Sequence, residues 1–143
     1  MTNFEAMALR IMGQQISTAA ALTIYRRMSD VAGGSVSSEG LLALFEDRLC
    51  FCGLSRAKAS FLHDPARRQA EGTIGLEDMA GIDDPAALAA LTAVRGVGPW
   101  SAQMFLAHRL KRADLLPASD IGIRRAVQRA RQLDYLVSRL AEG

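Results

Sequence analysis

The chain has 143 residues, half of them hydrophobic, and a net charge of +2. This length supports one domain with a real core, and the composition argues against a disordered chain. No apolar run approaches the roughly 18 residues that span a bilayer, and the first residues lack a basic segment leading into an apolar one, so we expect a cytoplasmic protein with no membrane partner.

Cysteine content and charge distribution narrow the possible ligands. Cys50 and Cys52 are the only two cysteines, which is too few for a four-cysteine zinc or iron–sulfur site, and we interpret them as small core residues. Arginine and lysine outnumber acidic residues from Arg95 onward, which predicts a local positive face. Ordinary solvated helix faces are the preferred explanation of this excess when charge is considered alone.

The first part of the chain predicts two helices. Apolar residues recur at helical spacing from Phe4, pause at Gly13, and recur from Ala21 to Met28. A glycine-rich loop follows the second of these segments.

The middle of the chain predicts further helices with one irregularity. A short helix is expected over 39–47, and Ser55 is placed as the N-cap of a helix that begins near Arg56. Pro65 lies inside that helix and removes a backbone donor there, so we expect the helix to kink, or to end and restart.

The second half predicts a helical hairpin and a final helix. In the run Asp83-Asp84-Pro85 an aspartate is expected to cap a helix that reaches about residue 93, and a second helix runs from about 99 to 110. After an extended connection, a last helix is expected from 120 or 121 to about 132. The predicted fold is all-α, a helical bundle in one domain over 1–143, with the hairpin region at about 85–110.

Two glycines lie in the turn of this hairpin. Gly96 and Gly98 lack the Cβ atoms that would block close approach, and the following helix adds unpaired N–H groups and the positive end of its dipole. Such a turn binds an anion such as a phosphate. A tight helix–helix turn that requires glycine for steric reasons explains the pattern equally well.

Asp120 precedes the last helix and has two compatible interpretations. An aspartate at this position is expected to be an N-cap. The helix dipole also favours its ionised form, and an ionised carboxylate stabilises a cationic sugar or accepts a proton from water. No second carboxylate of matching context accompanies it.

Four ordered motifs together resemble the helix-hairpin-helix DNA glycosylases, and among them the 3-methyladenine DNA glycosylase II type. They are GQQIS at 13–17, GLSRAKA at 53–59, GVGPWSA at 96–102 and LPASDIGIRRA at 116–126. The resemblance runs from about residue 4 to 134. It implies double-stranded DNA as the partner, action at the nucleoid, and a reaction in base excision repair that flips a damaged base into a pocket and cleaves its glycosidic bond.

The resemblance also implies roles for individual residues. These are catalysis by Asp120, DNA contacts by Gly96, Val97, Gly98, Ser101 and Lys58, filling of the gap left by the flipped base by Gln15, and a base pocket with Trp100 and Met104. Three of these roles have structural alternatives. Trp100 is either a pocket wall for a cationic base or a core residue, Gln15 either a wedge or part of a polar junction, and Lys58, like Arg56, either a phosphate contact or solvated surface.

Subfamily differences point to one type of reaction. Relatives that also cut the strand carry a lysine just after the hairpin, and Trp100 occupies that position here. The resemblance therefore implies a monofunctional glycosylase for alkylated purines such as 3-methyladenine, which leaves an abasic site and uses no cofactor. The sequence pattern is compatible with a monovalent cation at the hairpin but not with an iron–sulfur cluster.

The chain also departs from the family pattern. Members usually start earlier and continue with further helices, so we interpret this chain as shortened at both ends. A non-catalytic or decayed DNA-binding module is therefore the alternative function, and a helical protein-interaction domain unrelated to DNA is a third. The oligomeric state and the exact lesion do not follow from the sequence.

Overall fold

A computed structural model describes residues 2–14, 16–109 and 121–142. All regular elements within these ranges are helical, as predicted. They are α1 (Asn3–Met12), α2 (Thr18–Val31), α3 (Ser38–Leu42), α4 (Glu46–Phe51), α5 (Arg56–Glu71), a 3₁₀ helix (Leu76–Gly81), α6 (Asp84–Thr92), α7 (Pro99–Arg109) and α8 (Ile121–Glu142).

Side-chain caps fix where several helices begin. Ser55 accepts a hydrogen bond from Lys58 N, which confirms the predicted N-cap. An aspartate cap was also predicted before Pro85, and the residue that fills this role is Asp83, which accepts a hydrogen bond from Ala86 N. Ser17 caps α2 in the same way. Each cap satisfies one of the N–H groups that a helix start leaves without an intrahelical partner.

The core is built around α1 and α5. Helix α1 is almost entirely buried, and α5 packs against α1, α3 and α4. Helix α6 packs against α7, and α8 lies against both α2 and α7. The hairpin formed by α6 and α7 therefore rests on the core with its turn beside α5.

The region around Phe45 corrects the predicted helix over 39–47. Two helices, α3 and α4, replace it, because the backbone at Phe45 is extended and starts a new helix there. The change of direction allows both Leu41 and Leu49 to reach the core, where neither is exposed. The prediction of one continuous helix was wrong.

Two other helices differ from their predicted course. Helix α5 continues through Pro65 to Glu71, so of the two predicted alternatives at Pro65, a kink or an end and restart, the second was wrong. Helix α8 extends to Glu142 rather than to about 132, because Leu133 and Val137, four residues apart, both join the main core. Nowhere in the described ranges is there a helix with the length and apolar character needed to cross a membrane.

Candidate functional site

Gly96 lies in the hairpin turn and is glycine for an internal reason. Its φ is +85°, a conformation that residues with a Cβ rarely adopt. A Cβ at this position would also lie 3.1 Å from Cβ of Phe61 on α5. The steric explanation of the glycine pattern therefore holds for this position.

Gly98 lies in the same turn, but neither its backbone conformation nor its surroundings require a glycine. It does not have a positive φ, and a Cβ built on it would meet no atom within 4 Å. Gly98 is also exposed to solvent. The space beside it is open to a molecule approaching from outside.

The turn presents backbone donors next to that open space. Val97 N donates to Val94 O at 3.2 Å, so the turn itself uses this N–H group. Among the described residues, the N–H groups of Gly98 and of the first turn of α7 have no acceptor, because Ala102 N makes the first bond of that helix, to Gly98 O at 2.9 Å. These unpaired donors and the helix dipole favour an anion.

Three contacts hold the hairpin against α5 and the end of α1. Arg95 N donates to Asp64 Oδ2 at 2.9 Å, and Gln14 Nε2 donates to Gly96 O at 3.0 Å. The Arg95 guanidinium lies 5.3 Å from the ring centroid of Phe61. The turn is thus fixed on both sides before any ligand binds.

Asp64 is the buried acid of this arrangement. Its carboxylate also accepts hydrogen bonds from Arg67 at 2.8 Å and Arg68 at 2.9 Å. Burial alone would raise the pKa of Asp64, but the bond from Arg95 N and the two arginines outweigh it and lower the pKa below its ordinary value. Asp64 therefore remains ionised at neutral pH and positions the hairpin.

A cavity of about 500 Å³ opens next to the hairpin, a volume typical of small-molecule sites. Helices α1, α7 and α8 provide most of its walls. Both hairpin glycines and Ser101 reach it as well. A group held at the hairpin would consequently lie beside this cavity.

Trp100 and Met104 both line the cavity, on consecutive turns of α7. Trp100 is 48% exposed, so it is not a core residue. Met104 is fully buried and packs against Ala107, Ala126 and Val127, apart from the main core. The two residues assigned to a base pocket therefore share one cavity wall.

Lys58 and Arg129 both donate hydrogen bonds to backbone carbonyls at the end of α1 and in the turn that follows it. Lys58 Nζ donates to Met12 O at 2.9 Å and also to Gln14 O. Arg129 Nη2 donates to Gly13 O at 3.0 Å and also to Ile16 O. Burial and the charge of Arg129 lower the pKa of Lys58. The Lys58 ammonium is thus committed to backbone carbonyls, and a role in DNA binding would require it to share or exchange them.

Arg10 is the least satisfied polar side chain of the cavity wall. Its Nε is shielded from solvent and has no hydrogen-bond partner in the described part of the chain. Burial and the neighbouring charge of Arg129 lower the pKa of Arg10. Arg109 and Asp134 line the same cavity, and Arg109 Nε donates to Asn3 Oδ1 at 2.9 Å.

Several site residues, among them Arg10 and Asp64, were not predicted from the sequence. Two other site residues were predicted but lie outside the described residues. Asp120 and Gln15 fall in the latter group. Arg10 could have been noticed as a cation within a helix of apolar residues, whereas no local pattern identifies Asp64 as a partner of the hairpin. No cluster of His, Cys, Asp and Glu suited to a metal occurs among the described residues.

The sequence is similar to that of a DNA-3-methyladenine glycosylase from Saccharomyces cerevisiae, with 35% identity over 133 residues. The match covers 85% of this chain and 44% of the yeast protein. The chain thus spans less than half the length of this relative.

Two solved structures have a similar fold. The DNA-3-methyladenine glycosidase of Bacillus halodurans superposes with a TM-score of 0.78 at 24% identity, over 95% of this chain and 69% of the other. A 3-methyladenine DNA glycosylase of Schizosaccharomyces pombe, solved in complex with abasic DNA, superposes with a TM-score of 0.72 at 24% identity. That match covers 92% of this chain and 65% of the other.

A family model gives the assignment. The model described as HhH-GPD superfamily base excision DNA repair protein matches residues 9–138, which include the hairpin, the turn after α1 and all of the cavity wall except Ala6. The chain therefore belongs to the HhH-GPD superfamily of base excision DNA repair proteins.

Proposed function

We propose that this chain is a monofunctional DNA N-glycosylase that removes alkylated purines, such as 3-methyladenine, from double-stranded DNA. The observation that carries the proposal is the position of the hairpin, whose unpaired N–H groups adjoin a cavity lined by Trp100. Family membership and the yeast relative's name support the same reaction. The proposal treats the chain as one working domain in the cytoplasm, associated with the nucleoid.

The hairpin is proposed to bind a DNA phosphate. Gly98, Ser101 and the first turn of α7 would supply N–H donors, while Gly96 and Val97 shape the turn. A phosphate contact of this kind carries no base information and fixes the position of the protein along the backbone. The flipped nucleotide next to that phosphate then reaches the cavity.

Asp120 is proposed as the catalytic residue, because it immediately precedes α8 and matches the family's catalytic position. Water adds to the C1′ atom of the sugar as the glycosidic bond breaks, and the Asp120 carboxylate stabilises the cationic sugar and accepts the proton of water. An alkylated purine leaves readily because its ring already carries positive charge. The reaction requires no cofactor, and a monovalent cation at the hairpin would have only a structural role.

Two further residues complete the proposal. Gln15 is proposed to fill the space of the flipped base, because the resemblance implies this role and because the preceding carbonyls of Gly13 and Gln14 accept hydrogen bonds from Arg129 and Lys58. Trp100, at the position where strand-cutting relatives have lysine, provides no amine for a covalent intermediate. The product is accordingly an intact strand with an abasic site.

The direct test is release of free base from methylated duplex DNA in a single-turnover assay. We expect release by the wild-type chain and a loss of at least about 100-fold in Asp120→Asn, in the range lost when one catalytic proton-transfer group is removed. Asp78→Asn is the matched control, since Asp78 is an exposed acid that does not line the cavity, and it should retain full release.

The outcome also separates the alternative function. A chain that binds duplex DNA with strong salt dependence but releases no base is a non-catalytic DNA-binding module. A chain that neither binds duplex DNA nor releases base would contradict both functions.

A further inference from the structure

The end of α1 and the turn after it are held by two cations from distant parts of the chain. Lys58 comes from α5 and Arg129 from α8, and each donates to two backbone carbonyl oxygens. The four acceptors are the carbonyls of Met12, Gly13, Gln14 and Ile16. Four charge-assisted hydrogen bonds therefore converge on a segment of five residues.

This turn does not take its shape from the usual backbone arrangement at a helix end. Many helices end beside a glycine with positive φ, whose N–H group bonds to the last carbonyls. Gly13, the cap of α1, has φ −83° and ψ −3°, an ordinary helical conformation. Side chains satisfy the last carbonyl of α1 and those beyond it, so Lys58 and Arg129 determine where the turn lies.

Two positive charges lie close together here, which a helix end alone does not require. Burial and the charge of Arg129 lower the pKa of Lys58, so the folded chain holds this ammonium at a cost. One cation or one glycine is enough to end a helix. Charged groups that are held at such a cost concentrate at functional sites.

The same turn is connected to the hairpin and to α8. Gln14 Nε2 donates to Gly96 O at 3.0 Å, which fixes the turn against the hairpin. Helix α8 begins at Ile121, directly after the proposed catalytic Asp120. Arg129 therefore joins the turn to the helix that the proposed catalytic residue precedes.

We propose that Lys58 and Arg129 are positioning residues that hold the turn after α1 in one shape before DNA binds, so that it meets the gap left by a flipped base already ordered. The proposal rests on the proposed glycosylase function, which assigns Gln15, between Gln14 and Ile16 in sequence, to that gap. A flexible turn would lose conformational freedom on binding, and this loss would weaken the complex. A turn fixed in the free chain has lost that freedom during folding.

The experiment measures binding to two duplexes of the same sequence, one intact and one with a tetrahydrofuran analogue of an abasic site. The analogue leaves a gap in the base stack but supplies no base, so the cavity wall, to which Arg129 also belongs, does not affect the comparison. We expect the wild-type chain to prefer the abasic duplex. Arg129→Met and Lys58→Met should each reduce this preference roughly three- to tenfold, in the range of one hydrogen bond.

Three further variants control for charge and stability, and thermal unfolding establishes that each is folded. Arg129→Lys keeps an ammonium that can donate to both carbonyls, as Lys58 does for its own pair, so its preference should lie between those of the wild type and Arg129→Met. Arg131→Met removes an exposed guanidinium from α8, and Val137→Ala weakens the core contact of the same helix. Both should retain the full preference, since neither side chain donates to the turn.

A double-mutant cycle shows whether the two cations act through the turn. Gln15→Ala should reduce the preference in the wild-type background but change it little in Arg129→Met, where the turn is no longer held. Additive losses would overturn the proposal, as would an unchanged preference in folded Arg129→Met and Lys58→Met. A wild-type chain that binds both duplexes equally, or neither, would also overturn it. The expected binding effects without release of base from methylated DNA would contradict only the proposed function.

Discussion

Gly96 and Gly98 are two residues apart and are glycine for different reasons. Gly96 has a positive φ and no room for a Cβ beside Phe61, whereas Gly98 has ordinary backbone geometry and open space around it. The internal fold explains the first glycine but not the second. The proposed phosphate contact, in which an external group approaches the backbone closely, would account for Gly98.

Alanine substitutions should separate the two reasons. Gly96→Ala is expected to lower the free energy of unfolding by at least about 1–2 kcal/mol, because of the left-handed backbone and the contact with Phe61. Gly98→Ala should cost less than about 1 kcal/mol in stability but weaken binding to duplex DNA. Urea unfolding and fluorescence anisotropy measure the two effects. If Gly98→Ala bound DNA as tightly as the wild type, the proposed phosphate contact would be wrong.

The protonation state of the Asp64 carboxylate affects how firmly the hairpin is held. Because the pKa of Asp64 is lower in the folded chain than in the unfolded one, its stabilising contribution is fully present above the unfolded value of about 3.9. It disappears as the pH falls through the lower, folded value. Folded Asp64 also accepts a hydrogen bond from Arg95 N, so this loss directly loosens the turn.

Asp64→Asn should therefore show a pH-dependent defect. We expect an unfolding free energy about 1–3 kcal/mol below that of the wild type from pH 7 down to about 5, since bonds to a charged group are lost. The difference should begin to shrink as the pH falls below about 4, the unfolded value, and should vanish below the lower, folded value, where the folded wild-type carboxylate is protonated too. Urea denaturation across this pH range provides the measurement. A gap that stayed constant into strong acid would show that the charge of Asp64 contributes nothing.

At the scale of elements, α5 presents two neighbouring cations with different environments. Lys58 donates to carbonyls of the turn after α1, whereas Arg56 pairs with Asp47 at 2.7 Å on the exposed surface. A cation bonded to partly buried carbonyls stabilises more than an exposed ion pair. The sequence alone places both residues in the same motif and does not distinguish them.

The corresponding substitutions make this difference measurable. Lys58→Met should lower the free energy of unfolding by about 1.5–3 kcal/mol, and Arg56→Met, its control on the same helix, by less than about 1 kcal/mol. Methionine and the two replaced residues have similar helix propensities, so backbone effects cancel. Equal losses in the two variants would rule out a special role for Lys58 in the turn.

The helices were predicted from local sequence signals, and such signals contain no information about long-range contacts. The cap at Ser55 and an aspartate cap before Pro85 were predicted because the determining hydrogen bond spans only three residues. The bonds from Gln14 to Gly96 and from Arg95 to Asp64 join residues 82 and 31 positions apart. No spacing rule covers such separations, so the hairpin was predicted but its supports were not.

At the scale of the whole molecule, α8 completes the hydrophobic core. Its residues Leu133 and Val137 join the main core, and the helix packs against α2 and α7. It also contributes Arg129 to the turn after α1 and Ala130 to the cavity wall. Helix α8 thus contributes both to the stability of the domain and to the shape of the proposed base pocket.

Substitutions on opposite faces of α8 test this arrangement. Leu133→Ala should destabilise the chain by about 2–4 kcal/mol, since it leaves a cavity in the core. Tyr135→Ala is the control on the exposed face, where the side chain is 63% accessible, and should change stability by less than about 1 kcal/mol. Thermal and urea unfolding report both values. A small effect of Leu133→Ala would mean that α8 is not an integral part of the domain.

The hydrogen bond from Gln14 to Gly96 has a consequence for how the protein would search DNA. It fixes the spacing between the turn that ends α1 and the hairpin, which come from distant parts of the chain. If the hairpin rests on a phosphate, as proposed, the end of α1 lies at one set distance from that phosphate along the duplex. A chain that slid along DNA would then carry the hairpin and the end of α1 forward together, one phosphate at a time.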